Sequence, residues 1–234
     1  MKTTFKRYEL KYFMTKEQKE KLLELFKTYM VADKFGKSCI YNIYYDTPEF
    51  LLIRRSIEKP VYKEKLRARS YGMAKSDSTV FLELKKKYKS VVYKRRIELH
   101  QDDLNHYFEY HDNQDSQISK EIDYFKSFYD DIAPRVFLAY DREAYFGKED
   151  SDFRVTFDED IIWRDTDLSL CSSKYGNNIL NENTVLAEIK VAGAMPLWLT
   201  KFLSDNKIYK TSFSKYGNAY KQILDKRKEI NYAS

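Results

Sequence analysis

In Lys63-Glu64-Lys65-Leu66-Arg67-Ala68-Arg69 every second residue is basic. Successive side chains of a strand point to opposite faces, so Lys63, Lys65, Arg67 and Arg69 line one side. The alternation recurs. Glu9 and Lys11 alternate with Tyr8, Leu10 and Tyr12, and Glu83 and Lys85 with Leu82 and Leu84. Arg154 and Thr156 alternate with Phe153, Val155 and Phe157, and Glu188 and Lys190 with Ala187, Ile189 and Val191. Two arrangements satisfy such a pattern. An open antiparallel sheet turns its charged face to water and packs its apolar face on helices. A closed barrel turns the charged faces inward, removes the exposed edges and makes the lumen a trap for polyanions. The alternation by itself leaves both open.

The 234 residues suit one large domain or two small ones, and we expect a single domain over 1–234. Only 6 Gly and 4 Pro are present, which argues against linkers and disordered tails. The formal charge of +6 favours a polyanionic partner without naming it. Two cysteines, Cys39 and Cys171, and three histidines cannot build a closed zinc site of the usual spacing. Both thiols read as buried and reduced. The N-terminus has no apolar signal region, and no stretch approaches the ~20 apolar residues that span a bilayer. The expectation is a soluble, cytoplasmic protein with no membrane segment in this chain.

Strands are predicted at 5–13, 39–46, 60–71, 79–87, 91–100, 134–146, 152–164 and 184–191. Thr15 with Gln18 three residues on forms a capping-box signature, so a helix is predicted over 15–30. Asp46-Thr47-Pro48 reads as the start of a short helix to about Arg55, a structural role. Residues 102–130 are helical in character, broken around Asn113. The segment 165–183 reads as a surface excursion, and helices follow at 196–204 and 214–230. Antiparallel hairpins interrupted by helices make an α+β chain rather than a βαβ alternation.

The charged pairs fall in a particular order: Arg7-Tyr8-Glu9-Leu10-Lys11, Tyr44-Tyr45-Asp46-Thr47-Pro48, Lys65-Leu66-Arg67-Ala68-Arg69, Glu83-Leu84-Lys85, Lys94-Arg95-Arg96, Tyr140-Asp141-Arg142, Arg154-Val155-Thr156, Glu188-Ile189-Lys190 and Phe213-Ser214-Lys215-Tyr216. This series resembles the VTC domain, the polyphosphate polymerase domain of the vacuolar transporter chaperone complex. That domain belongs to the triphosphate tunnel metalloenzyme superfamily, alongside the CYTH proteins. The resemblance implies an eight-stranded antiparallel β-barrel tunnel with a charged lumen and helices packed outside. It implies catalytic cations at Lys11, Arg67, Arg69, Lys85, Arg142, Arg154 and Lys215. Lys94, Arg96, Lys190 and Ser214 would bind the phosphate chain, Arg96 and Lys190 through the face they share by alternation. Glu188 would hold Mn2+ or Mg2+.

Glu9 and Glu83 then read as groups that orient neighbouring cations. In the run Lys85-Lys86-Lys87, Lys85 alone is expected on the Glu83 face, the rest being partly a solvated turn. His100, His106 and His111 read as surface or helix residues. Where the wider superfamily opens with Glu-x-Glu-x-Lys, this chain has Arg7, Glu9 and Lys11. The change removes one possible metal ligand and resembles the polymerase branch. The chain is expected to be the catalytic or binding module alone, with no sensor domain in front and no membrane segment behind.

The function implied is a metal-dependent polyphosphate polymerase, moving the γ-phosphoryl group of ATP to a growing inorganic polyphosphate chain. A metal-dependent tri- or polyphosphate hydrolase and a catalytically silent polyphosphate-binding module are the alternatives. Nucleic acid is not expected as a partner, because the alternation puts most aromatics on the face opposite the cations.

Overall fold

The computed structural model describes residues 8–89, 91–109, 116–129 and 131–233. In chain order the elements are β1 (Tyr8–Thr15), α1 (Lys16–Tyr29), β2 (Met30–Ala32), β3 (Ser38–Asp46), α2 (Leu51–Ile57), β4 (Tyr62–Tyr71), β5 (Thr79–Tyr88), β6 (Val91–His100), α3 (Gln101–Glu109), α4 (Gln117–Phe128), β7 (Ala133–Gly147), β8 (Arg154–Arg164), β9 (Asn177–Asn178), β10 (Thr184–Val191), α5 (Leu197–Asp205), β11 (Lys210–Thr211) and α6 (Lys215–Ala233). The start of the first predicted strand, with Arg7, lies outside the described residues, as do the expected break at Asn113 and His111. Among the described residues no helix is long and apolar enough to cross a membrane.

The eight predicted strands are all present, as β1, β3, β4, β5, β6, β7, β8 and β10. Three further strands of two or three residues, β2, β9 and β11, bring the sheet to 11. Hydrogen bonding runs in the order β11-β1-β10-β8-β7-β3-β4-β5-β6, with β2 on β7 and β9 on β8. This corrects the eight-stranded closed barrel. The order ends at β6 and at the two-residue β11, and these two share no ladder among the described residues. The fold is an antiparallel-sheet α+β fold with an unclosed sheet.

The chain divides into two interleaved compact units. The first comprises residues 1–39, 140–161 and 180–213, and the second 40–139, 162–179 and 214–234.

In the first unit the predicted cap at Thr15 is made. Gln18 N–H donates to Thr15 Oγ1 at 3.1 Å, and Thr15 N–H donates to Gln18 Oε1 at 3.0 Å. A cap of this kind stabilises a helix by about 1 kcal/mol. It starts α1 in a phase that turns Leu22 and Phe26 into a core with Val155, Phe157, Val185, Ala187 and Ile189. Each such side chain contributes roughly 1.5–3 kcal/mol on leaving water, an upper estimate. Leu199 and Phe202 of α5 join the same core. The apolar face of β1, β10 and β8 is thereby covered, leaving their charged positions on the other face.

In the second unit β3 to β6 run as consecutive antiparallel neighbours. Their apolar positions, among them Leu66, Ala68, Val80, Leu82, Leu84 and Ile97, are buried. Helices α3 and α4 pack against β6, and α2 packs against β4 and α6.

Two local expectations need correction. Helix α2 begins at Leu51 rather than at Pro48, because Phe50 adopts a left-handed backbone (φ 55°) just before it. Asp46 still serves the helix start: its carboxylate accepts from the backbone N–H groups of Thr47, Leu52 and Ile53. Neither cysteine is buried. Cys39, second in β3, is half-buried, and Cys171, within the 165–183 excursion, is exposed.

Candidate functional site

In the second unit the cationic positions of β4 and β6 converge on one carboxylate of β5. Glu83 stands opposite Arg67 on β4 and Arg96 on β6. Its side chain is 1% exposed and takes Arg67 Nη2 at 2.7 Å, Lys94 Nζ at 2.7 Å and Arg96 Nη2 at 2.5 Å, with Arg69 Nε at 3.9 Å. Burial favours the neutral acid, but the charges of Arg67, Arg69 and Lys94 overcome it and hold Glu83 well below the usual carboxylate range. Glu83 therefore orients cations, as expected, and stays ionised.

The rest of the face fixes the guanidinium planes. Arg69 Nε donates to Asn42 Oδ1 at 2.9 Å, and Asn42 Nδ2 donates to the Leu138 carbonyl. Arg67 Nη1 donates to the Tyr44 hydroxyl at 3.1 Å. Arg96 lies over the Phe81 ring at 4.3 Å and reaches the Tyr71 hydroxyl. Lys65 reaches Ser214 Oγ at 3.5 Å. Ser214 Oγ also accepts the Gly217 N–H at 3.1 Å, so it sits at the first turn of α6, where Lys215 is the first residue. That approach is close, since a Cβ on Gly217 would meet Ser214 Cβ and Oγ at 3.2 Å. Lys85 is exposed and stands opposite Lys65 and Lys94. Lys87 shares its face, two residues along the same strand and opposite Lys63, which corrects the expectation that Lys85 alone of that run does so.

The first unit holds the other predicted residues in a charge-balanced array. Lys11 stands opposite Glu188, Glu9 opposite Lys190, Glu188 opposite Thr156 and Lys190 opposite Arg154. Glu188 takes Lys11 Nζ at 3.3 Å on one oxygen and Arg142 Nη2 at 3.2 Å on the other. Arg142 is clamped by the buried Asp158 through two contacts of 2.6 Å. Burial pushes the Lys190 amine down, Glu9 and Glu188 oppose this, and Arg142 and Arg154 add to it, leaving its pKa lowered. Arg154 lies over Phe146 and reaches Asp33 at 3.4 Å.

Two buried polar atoms here lack a partner among the described residues: Arg154 Nε and Thr156 Oγ1. Buried polar atoms are normally hydrogen-bonded, so an unmet donor and hydroxyl on a cationic strand are what an anion or its counterion would satisfy. Thr156, Asp158, Asn42 and Tyr44 received no role from the sequence. Alternation put Thr156 beside Arg154 on the charged face and was the only signal that could have found it.

A divalent cation of the Mg2+ or Mn2+ kind takes oxygen donors and retains waters or substrate oxygens. Among the described residues no three His, Cys, Asp or Glu side chains group into a cage. Glu188, with the Thr156 hydroxyl opposite, fits a cation held by one carboxylate plus substrate oxygens. Binding there would require Lys11 or Arg142 to yield a carboxylate oxygen.

In the comparison with known structures the chain is similar to a putative adenylate cyclase from Bacillus halodurans, at 13% identity and a TM-score of 0.55, covering 88% of this chain and 92% of that one. A putative adenylate cyclase from Vibrio parahaemolyticus aligns at 14% identity and a TM-score of 0.46, covering 94% and 97%. At such identity the first likeness speaks for the fold alone. No curated protein matches the chain. Residues 6–224 match the family model of the VTC domain, which is nearly the whole length, and the chain belongs to the VTC-domain family.

Proposed function

We propose that the protein is a metal-dependent polyphosphate polymerase that takes the γ-phosphoryl group of ATP. The observation that carries this reading is the Glu83 cluster, where Arg67, Arg69, Lys94 and Arg96 surround a single carboxylate. Four cationic side chains meeting one carboxylate suit a polyanionic ligand. Phosphoryl transfer needs in-line positioning and charge balance more than covalent help from protein. The planar guanidinium groups, fixed by Asn42, Tyr44 and Phe81, match the oxygens of a phosphate chain.

In the proposed reaction a terminal oxygen of the growing chain attacks the γ-phosphorus. The bond from that phosphorus to the β-bridging oxygen breaks, and ADP leaves with the electron pair. Attack by a phosphate oxygen, already anionic, needs no general base. This suits the carboxylates of each unit, Glu83 in the second and Asp158 and Glu188 in the first, all of which are occupied by cations. A metal at Glu188 would neutralise charge on the phosphate oxygens. Whichever of Lys11 and Arg142 keeps its oxygen would hold the Glu188 carboxylate in place, and Arg154, Lys190 and Thr156 would meet phosphate oxygens; in the second unit Lys85, Ser214 and Lys215 would add donors.

The test is incubation with ATP and Mn2+ or Mg2+, reading ADP, orthophosphate and polymer length on gels. ADP with an acid-labile polymer is the expected result. Stoichiometric orthophosphate without polymer would replace the polymerase with a hydrolase. Polyphosphate binding without ATP turnover would leave a binding module.

A further inference from the structure

We propose that Lys63 and Lys87 extend the phosphate-binding face of the second unit into a track that holds long polyphosphate, beyond the residues that meet the reacting phosphates. The inference rests on the proposed polyphosphate reading and adds two residues and a length dependence to it.

The argument starts from register. Lys63 stands directly opposite Lys87, Lys65 opposite Lys85, and Lys85 opposite Lys94. Directly opposed side chains have Cβ atoms about 4.5–5.5 Å apart, and like charges so placed destabilise a sheet. Between β1 and β10 opposed positions pair opposite signs, Lys11 against Glu188 and Glu9 against Lys190, although Lys190 also faces Arg154 on β8. Along β4 and β5 two like-charged pairs follow one another, Lys65 with Lys85 and Lys63 with Lys87. Glu83 neutralises the cations at one end, and from Lys85 onward no carboxylate of β4 or β5 shares the face.

Lys63 shows the consequence. It is half-buried and donates to the Ser56 carbonyl at 3.1 Å, which fixes the amine rather than neutralising it. Burial lowers its pKa first, and the charges of Lys87, Lys85 and Lys59 lower it further. A sheet that keeps such repulsion is relieved by a linear polyanion lying along the strands. Successive cations on one face recur every ~6.6–6.8 Å, so each added pair engages a further part of the chain. Tripolyphosphate would be satisfied at the Glu83 end. Only a longer chain would reach Lys63 and Lys87.

The experiment compares wild type with the Lys63→Gln/Lys87→Gln double variant, using tripolyphosphate and long-chain polyphosphate across a salt titration. The variant is expected to lose on the order of tenfold in its preference for the long chain over tripolyphosphate. Its log-affinity against log-salt slope for the long chain should flatten by about one to two. Without ligand at low salt its melting temperature should rise, because the like-charge pair is gone. The Lys63→Arg/Lys87→Arg pair keeps the charges and should keep the length preference, which separates charge loss from misfolding. Equal length preference and equal slope in wild type and the Gln variant would overturn the track while leaving the polyphosphate reading intact. A wild type that binds no polyphosphate would remove both. Binding of a single-stranded oligonucleotide as tight as that of polyphosphate of equal charge would overturn the proposal in favour of a nucleic-acid surface.

Discussion

Tyr44 and Tyr216 stack with ring centroids 4.5 Å apart and 19° between their planes. The two hydroxyls face opposite charges. Tyr216 donates to Asp46 Oδ2 at 2.8 Å, and Tyr44 receives Arg67 Nη1 at 3.1 Å. The pair ties the carboxylate that starts α2 to the cations of β4, so a change of charge on that face is felt at a buried phenol.

Tyr44 should report phosphate binding through its own ionisation. Burial raises its pKa, but Arg67, Lys65 and Arg69 pull it from 10.0 to about 8. A pKa depressed in the folded state means the unfolded chain binds more protons between about 8 and 10. Stability linked to this group therefore rises with pH across that window and is lost as pH falls through about 8, by on the order of 2–3 kcal/mol. Ultraviolet titration should show a phenolate component with a midpoint near pH 8 that Tyr44→Phe removes. Tripolyphosphate, by neutralising the cations, should move that midpoint upward. A midpoint that ignores saturating tripolyphosphate would place the phosphates away from Arg67.

Glu83→Gln removes the carboxylate that Arg67, Lys94 and Arg96 share among the described residues. Breaking a buried ion pair in this way costs about 3–5 kcal/mol, because the partner charges are left uncompensated. The variant should melt lower than wild type in phosphate-free buffer, and tripolyphosphate should restore more of its stability than it adds to wild type. Equal ligand-induced shifts in the two proteins would show that phosphate does not bind beside Glu83.

Lys19→Met should destabilise the first unit without touching the charged face. Lys19 Nζ lies 2.6 Å from Glu143 and 2.5 Å from Glu159, joining α1 to β7 and β8. Burial lowers its pKa, yet hydrogen bonds and charges of the two glutamates raise it above 10.5, so its contribution is present at neutral pH and lost only as pH climbs through that raised value. Loss of about 3 kcal/mol is expected, read as a lower urea midpoint with an unchanged slope.

The sequence makes strands legible where alternation is long. Eight such runs became eight strands, and Thr15 with Gln18 became a capping box. Pairs of residues such as Asn177–Asn178 or Lys210–Thr211 carry no period, so β9 and β11 were not legible. Closure is a non-local property, and a one-face pattern reads alike in an open sheet and a barrel. The shared face of Glu83, Lys85 and Lys87 was available from the period of two, but a turn assigned too early hid Lys87. The gathering of four cations on Glu83 needs the β4–β5–β6 register, which no single strand reveals. The delayed start of α2 turns on one left-handed residue, Phe50, for which no glycine gave warning.

Glu188→Gln separates structure from chemistry in the first unit. The amide keeps the shape of the side chain, and its oxygen still accepts from Lys11 or Arg142, while Asp158 continues to clamp Arg142. The melting temperature should fall by less than in Glu83→Gln, because Asp158 still compensates Arg142 and one amide oxygen still accepts. A neutral amide is a poor ligand for a hard divalent cation, so metal-dependent turnover of ATP should fall by about 100-fold or more if charge balance at the transferred phosphoryl is the main effect. Raising Mn2+ or Mg2+ should recover only part of that loss, because the cation would be held by substrate oxygens alone. Thr156→Val provides the companion measurement. It removes the hydroxyl opposite Glu188, which has no partner among the described residues, and it should weaken the dependence on metal concentration while leaving the ion pairs of Glu188 in place. A Glu188→Gln protein with the wild-type metal titration curve would show that the cation binds elsewhere.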